Sequence, residues 1–361
     1  MLVSVVIPAL EWDQHLEHTL ATVADQALPD GVTLETTVAL AGRPPADLPA
    51  RTRVIPNPGR SIPEALNRAV AASTGEVIVR VDARCDLPAD HVARIVATLA
   101  DERIGCVGGA QLVLDRGRFG SAYAVAFNSA LLGPSAYRYR RTSGPIDSAY
   151  LGAWRRDDLE RLGGFDVRLL RNQDNELADR VRRAGFTVWY DADLVVGYWN
   201  SRGLRATMAH HREFGAWRRL QRGHGQRALT PRHVGALAAL ATAGFGTVAT
   251  LGSARGRRVI AGVGLVAYGA AGIAAHASAA RLRGARPDLE GPALDPVGVA
   301  LAPAAATAIN ASWLVGLVTG RGRSTIVARD AGQAVQPEPS MASKTATQES
   351  STRGHDDASA S

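Results

Sequence analysis

The feature that most constrains this chain is a change of pattern near residue 200. Before it, short β-rich runs alternate with helical ones; after it come three long stretches without a single charge. The opening run, LVSVVIP at Leu2–Pro8, is almost continuously apolar. That is the pattern of a strand covered on both faces, as in a parallel sheet. The spacing predicts a helix over Trp12–Ala24, strands over Thr33–Leu40 and Thr52–Pro56, and a helix over Ser61–Ser73. Ser61 followed by Glu64 makes a capping box, and Pro63 suits a first turn. Glu76–Val81 reads as a further strand, Ala89–Ala100 as a helix and Gly105–Leu114 as a strand. Repeated βαβ units build an open α/β sheet, mostly parallel and flanked by helices, that holds ligands beyond the carboxyl ends of its strands. Asp82 follows EVIVRV at such an end.

The charge is as uneven as the hydropathy. Between Ser201 and Arg232 stand eight arginines against one acid, Glu213, a net +7 that equals the formal charge of the whole chain. A nucleic-acid binder sets such a stripe beside a reading motif with stacking aromatics, and none is present, so no nucleic-acid partner is expected. Beyond it lie the apolar runs Val234–Ala254, Val259–Ala280 and Pro296–Gly320, of 21, 22 and 25 residues. Each is long enough for a bilayer core of about 30 Å. The organisation expected is therefore a catalytic domain over 1–200, a basic amphipathic interface segment over 201–232, two to three membrane helices over 233–330, and a disordered, Ser- and Thr-rich tail over 331–361. The basic segment places the catalytic domain on the cytoplasmic face of a multi-pass protein bound to membrane lipids. Arg255, Arg257 and Arg258, between the first two runs, oppose a three-span topology, and a re-entrant hairpin is the alternative. Ala122–Leu132 reads as an interface helix. The N-terminus lacks the basic region of a cleavable signal. Two cysteines, Cys85 and Cys106, are too few for a disulfide framework. The absence of G-x-G-x-x-G after the first strand excludes a dinucleotide-binding dehydrogenase.

Three segments together resemble family 2 glycosyltransferases of the GT-A fold: SVVIPAL, NPGRSIPEALNRAVAASTGEVIVRVDARCDLPADHV, and GAWRRDDLERLGGFDVRLLRNQDNELADRVRRAGFTVWYD. Within that family the chain is most similar to the membrane-attached, succinoglycan-type transferases of exopolysaccharide assembly, over roughly residues 1–232. The resemblance implies an inverting transfer from a nucleotide-diphosphate sugar to a lipid-linked or growing glycan. Such an enzyme must hold the donor, offset charge on the departing diphosphate and deprotonate the attacking hydroxyl.

On this resemblance Pro8, Ala9 and Glu11 flank the nucleotide, and Arg60, before a helix N-terminus, meets phosphate or base. Asp82 matches the first acid of the family's Asp-X-Asp motif, but the second acid, the usual metal ligand, is replaced by Arg84. Either another group, Asp86 or a histidine, joins Asp82 around Mg²⁺ or Mn²⁺, since a guanidinium cannot ligate a cation, or Arg84 itself offsets the diphosphate charge. In Gln173-Asp174-Asn175-Glu176-Leu177, Asp174 matches the catalytic base and Glu176 an accompanying acid. Asp147 and Trp154 are expected on the acceptor side, with Trp154 either stacked on a sugar or packed in the core. Arg212, Trp217 and Arg218 either meet diphosphate or lipid phosphate or belong to an interfacial helix. The replacement at Arg84 also leaves a second expectation: a catalytically degenerate member that binds nucleotide-sugar or scaffolds a polysaccharide assembly complex.

Overall fold

The computed structural model describes residues 1–115, 117–129, 142–200, 203–221, 254–289 and 295–320. The strands are β1 Leu2–Ala9, β2 Thr33–Leu40, β3 Thr52–Pro56, β4 Val77–Arg80, β5 Cys85–Asp86, β6 Ile104–Val113, β7 Gly144–Pro145, β8 Tyr150–Arg155 and β9 Thr187–Tyr198. They form one sheet in the order β3-β2-β1-β4-β8-β6-β9-β5, with β7 on β9. The pairs β1–β2, β1–β4, β2–β3 and β6–β9 are parallel, whereas β8 runs antiparallel between β4 and β6. The helices are α1 Gln14–Ala24, α2 Ile62–Ala71, α3 His91–Leu99, α4 Gly117–Phe127, α5 Arg156–Arg161, α6 Gln173–Arg183, α7 Leu204–Gln221, α8 Ala254–Arg283 and α9 Pro296–Thr319.

Both faces of the sheet are covered, as the continuous apolar runs require. Val3, Val5, Ile7 and Ala9 point into one core with Leu16, Leu20 and Ile95 of α1 and α3, and Val77, Val79 and Val81 follow them. Val6 and Ile78 point the other way, onto Ala65, Leu66 and Leu177 of α2 and α6. This two-residue alternation between two buried cores is what an unbroken hydrophobic strand supplies. Asp13 starts α1 by accepting hydrogen bonds from the amides of His15 and Leu16 at 3.1 and 3.0 Å. The capping box expected at α2 does not form. Ser61 makes no side-chain cap bond, and Glu64 instead accepts from Arg68 at 3.0 Å, the i,i+4 partner within its own helix.

The C-terminal helices pack onto the sheet domain. Helix α4 is buried from Gly120 to Phe127 and shares a core with Ala275 of α8 and Ala302, Ala306 and Ile309 of α9. The expectation of an interface helix beginning at Ala122 is therefore corrected: this apolar stretch is enclosed by α8 and α9. Helices α7 and α9 cross at backbone contact, because a methyl group on Gly316 would overlap the Arg212 carbonyl and one on Gly215 would overlap that of Trp313. The segment after α8 is pinned to the sheet edge by Arg286. Its guanidinium donates to Asp86 Oδ1 at 2.7 Å, to Val195 O at 2.8 Å and to Asp288 at 2.8 Å.

Of the expected spans, the first, Val234–Ala254, lies outside the described residues except for its last. The second falls inside α8, which also takes up Arg255, Arg257 and Arg258, so these arginines belong to a helix and not to a short link. Helix α9 is long and apolar enough to cross a membrane, with 33% of its most apolar window buried. The tail over 331–361 is outside the described residues.

Two substitutions test this packing. Gly316→Leu should force α7 and α9 apart and destabilise by about 2 kcal/mol or more, while Ile273→Ala, at a site 75% exposed, should stay within about 0.5 kcal/mol. Arg286→Met strips a partner from Asp86 and should cost about 3–5 kcal/mol, whereas Arg103→Ala, in an exposed pair with Asp101, should leave stability nearly unchanged. Thermal and denaturant unfolding of the purified protein measures both.

Candidate active site

The carboxyl ends of β1, β2, β3 and β4 open on one edge of the sheet. Pro8 and Ala9 close β1, with Ala9 buried and Glu11 exposed just beyond. The loop between β3 and α2 turns at Arg60, which is exposed and held at φ 50°, a left-handed conformation unusual for a side chain with Cβ. Beneath it Asn57 Oδ1 and Ser61 Oγ are buried without a hydrogen-bond partner. With no side-chain cap, the amides at the start of α2 face this loop beside the Arg60 guanidinium, a setting that favours an anion.

The centre of the edge is Arg80, the last residue of β4. The sequence reading missed it, although it is the one charge in a strand that is otherwise apolar and buried. Only 9% of its side chain is exposed. Its Nε and Nη2 donate to Asp82 Oδ1 at 3.2 and 2.9 Å. Burial opposes a charged guanidinium here, yet the carboxylates of Asp82 and Asp174, with Tyr150, hold its pKa above the ordinary arginine value. Asp82 and Asp174, 92 residues apart in the chain, thus act on the same buried cation.

Asp174 stands in the first turn of α6, entered through Asn172 at φ 60°. It accepts from the Asn175 amide at 2.9 Å. Arg218 of α7 is half-buried, and burial pulls its guanidinium below the ordinary value while the charges of Asp174, Asp147 and Asp179 act against that shift. The basic helix thus meets the field of Asp174 through Arg218. Arg212 and Arg219 are exposed, and Trp217 is 2% exposed, packed inward and not available to a ligand.

Other expected residues serve the framework. Trp154 is 3% exposed and meets Phe165 edge-on at 5.6 Å, so the stacking alternative is corrected in favour of the core. Glu176 binds Arg180 at 2.7 Å, and Arg180 in turn donates to the carbonyls of Leu162 and Gly164. That network fixes the Gly163–Gly164 turn to α6. Asp147 is fully exposed at the cleft rim beside Arg182. Neither cysteine is poised to react: burial pushes Cys106 up to about 12 and raises Cys85 further, with its thiol against the Tyr150 hydroxyl at 3.3 Å.

The residues at this edge do not fit a divalent cation. Asp82 has Oδ1 on Arg80 and offers one oxygen, too few to hold a divalent cation alone. Asp86, expected as a metal ligand, has Oδ1 on Arg286 and Oδ2 on His18 Nε2, both at 2.7 Å, which corrects that expectation. Asp13 Oδ1 caps α1. Among the described residues no three His, Cys, Asp or Glu side chains gather into a metal-holding group.

The chain can now be set beside known proteins. The succinoglycan biosynthesis protein ExoA of Rhizobium meliloti (strain 1021) is 28% identical over 196 residues, covering 51% of this chain and 59% of that protein. The chain thus matches less than two thirds of that relative. Among solved structures, the mannosyltransferase PcManGT from Pyrobaculum calidifontis, in complex with GDP-Man and Mn2+, is 18% identical, with 93% of this chain and 88% of that one covered at a TM-score of 0.44. S. aureus TarS 1–349 in complex with UDP-GlcNAc is 14% identical, with 61% and 65% covered at a TM-score of 0.45. The family model of glycosyl transferase family 21 matches residues 63–297, more than half the chain and all of the segment from α2 to the start of α9 that carries Asp82, Arg80, Asp174 and Arg218. The α/β architecture agrees with the GT-A resemblance of the sequence, and this chain is a glycosyltransferase belonging to family 21.

Proposed function

We propose that the protein is an inverting glycosyltransferase of polysaccharide synthesis. It moves a sugar from a nucleotide-diphosphate donor to a lipid-linked or growing glycan at the cytoplasmic face of a membrane. The observation that carries this reading is Asp82, held at 2.9 Å by the buried Arg80 at the carboxyl edge of the sheet, with the charge of Asp174 helping to raise the pKa of the same arginine. Ligands of open α/β sheets bind at that edge. The 28% identity with a succinoglycan biosynthesis protein supports a polysaccharide product.

In this mechanism the nucleotide lies across Pro8, Ala9 and Glu11, with Arg60 and the α2 N-terminus on its anionic part. Asp82, fixed by Arg80, orients the donor through its free oxygen. Asp174 accepts the proton of the acceptor hydroxyl as that oxygen attacks the anomeric carbon from the face opposite the diphosphate. Asp147, at the exposed rim, sits where an acceptor enters. The overlap of α7 with α9 links this cleft to an apolar helix that exposes Val297, Leu301, Val315 and Val318, the side chains a bilayer would cover. The basic residues of 201–232 favour the cytoplasmic leaflet, and the further apolar runs of the sequence make the attachment multi-pass.

Asp174→Asn keeps the shape of the side chain and removes its basicity. Sugar transfer, assayed in membranes against a panel of nucleotide-sugars, should fall by about 10²-fold or more, with nucleoside diphosphate binding kept within about threefold. Transfer at the wild-type rate would remove Asp174 as the base.

A further inference from the structure

The disagreement between this edge and a metal site has a consequence of its own. A departing diphosphate must be neutralised by something. The carboxylates that a cation would need are engaged in protein contacts, Asp82 with Arg80 and Asp86 with Arg286 and His18. Arg80 is itself committed to Asp82 and shielded from solvent, so a second cation has to face the donor.

Arg84 is that cation. It lies in the turn between β4 and β5, two residues beyond Asp82, with 36% of its side chain exposed. Two separate segments hold it. Its Nη2 is 3.6 Å from Asp13 Oδ2 in the β1–α1 connection, its Nη1 donates to Asn200 O past the end of β9 at 3.3 Å, and its own carbonyl accepts from the Trp199 amide at 3.0 Å. Asp13 is held in turn by its cap bonds to α1. The guanidinium is therefore held between the connection that follows β1 and the segment that follows β9, in the turn two residues beyond Asp82. Both contacts are long, and two phosphate oxygens accepting from the guanidinium in a bidentate pair would outcompete them.

We propose that this enzyme holds the diphosphate of its donor without a divalent cation, with Arg84 donating to the phosphate oxygens in the place where a metal would stand. The proposal rests on the transferase reading above, and it adds how the leaving group is stabilised: the glycosidic carbon–oxygen bond breaks toward the diphosphate, and the electron pair it receives is met by a fixed, permanently charged fork.

The test is calorimetric binding of UDP and GDP to the full-length protein in detergent, in excess EDTA and in excess Mn²⁺. The expected result is a dissociation constant that changes less than about threefold between the two conditions, and that rises about tenfold or more in both for Arg84→Ala. Arg84→Gln, which is shorter but stays polar with an amide donor, should weaken binding similarly with an unchanged melting temperature, separating the lost cation from lost fold. Arg84→Asp should bind only in Mn²⁺. Wild-type binding that vanishes in EDTA and returns with Mn²⁺ would overturn this inference while leaving the transferase reading intact. Unaltered affinity in folded Arg84→Ala would overturn it too. Failure of both nucleotides, and of ADP, CDP and TDP, to bind in either condition would sink the transferase reading along with it.

Discussion

A guanidinium at the end of a central strand cannot remain buried and charged unless carboxylates neutralise it. Arg80 is in that position, and the chain meets its demand from two sides, with Asp82 in contact and Asp174 acting across the cleft. Removing the charge of either acid would leave a buried cation partly uncompensated, which is among the costlier defects a protein interior can carry. The ion group thereby sets how the β4 end and the first turn of α6 face one another. The chemistry proposed for this edge inherits its geometry from that balance.

The same logic of committed charges explains why the second half of the molecule stays on the first. Arg286 crosses from the segment after α8 to Asp86 on β5, the strand that follows Arg84 directly. His18 of α1 holds the other oxygen of Asp86. The apolar helices are joined to the catalytic layer at this edge and again where α7 meets α9 without intervening side chains. A carboxylate expected to ligate a cation is instead the rivet between two parts of the fold.

Much of this was legible in the sequence. The continuous run LVSVVIP could only be a strand covered on both faces, and the alternation that followed specified the layers; β2 and β3 begin and end where the periodicity set them. Asp82 and Asp174 stood out through their motifs. What stayed hidden depended on distant neighbours. Ser61 and Glu64 have capping-box spacing, but Arg68 competes for Glu64 within the helix. Trp154 has the chemistry to stack on a sugar, yet Phe165, brought up by the Gly163–Gly164 turn, encloses it. Asp86 sits beside the motif, and nothing local announces an arginine 200 residues away. The signal for Arg80 was present, a lone charge inside a buried strand, but its meaning came only with its two partners.

The convergence of Asp82 and Asp174 on Arg80 is the claim on which the rest stands, and a double-mutant cycle addresses it directly. Unfolding free energies of Asp82→Asn, Asp174→Asn and the double variant, each with and without Arg80→Met, give the coupling between the two acids and its dependence on the arginine. The account predicts a coupling of about 0.5 kcal/mol or more that disappears when Arg80 is replaced. Additivity within about 0.3 kcal/mol in both backgrounds would place the two carboxylates in separate parts of the molecule and contradict it.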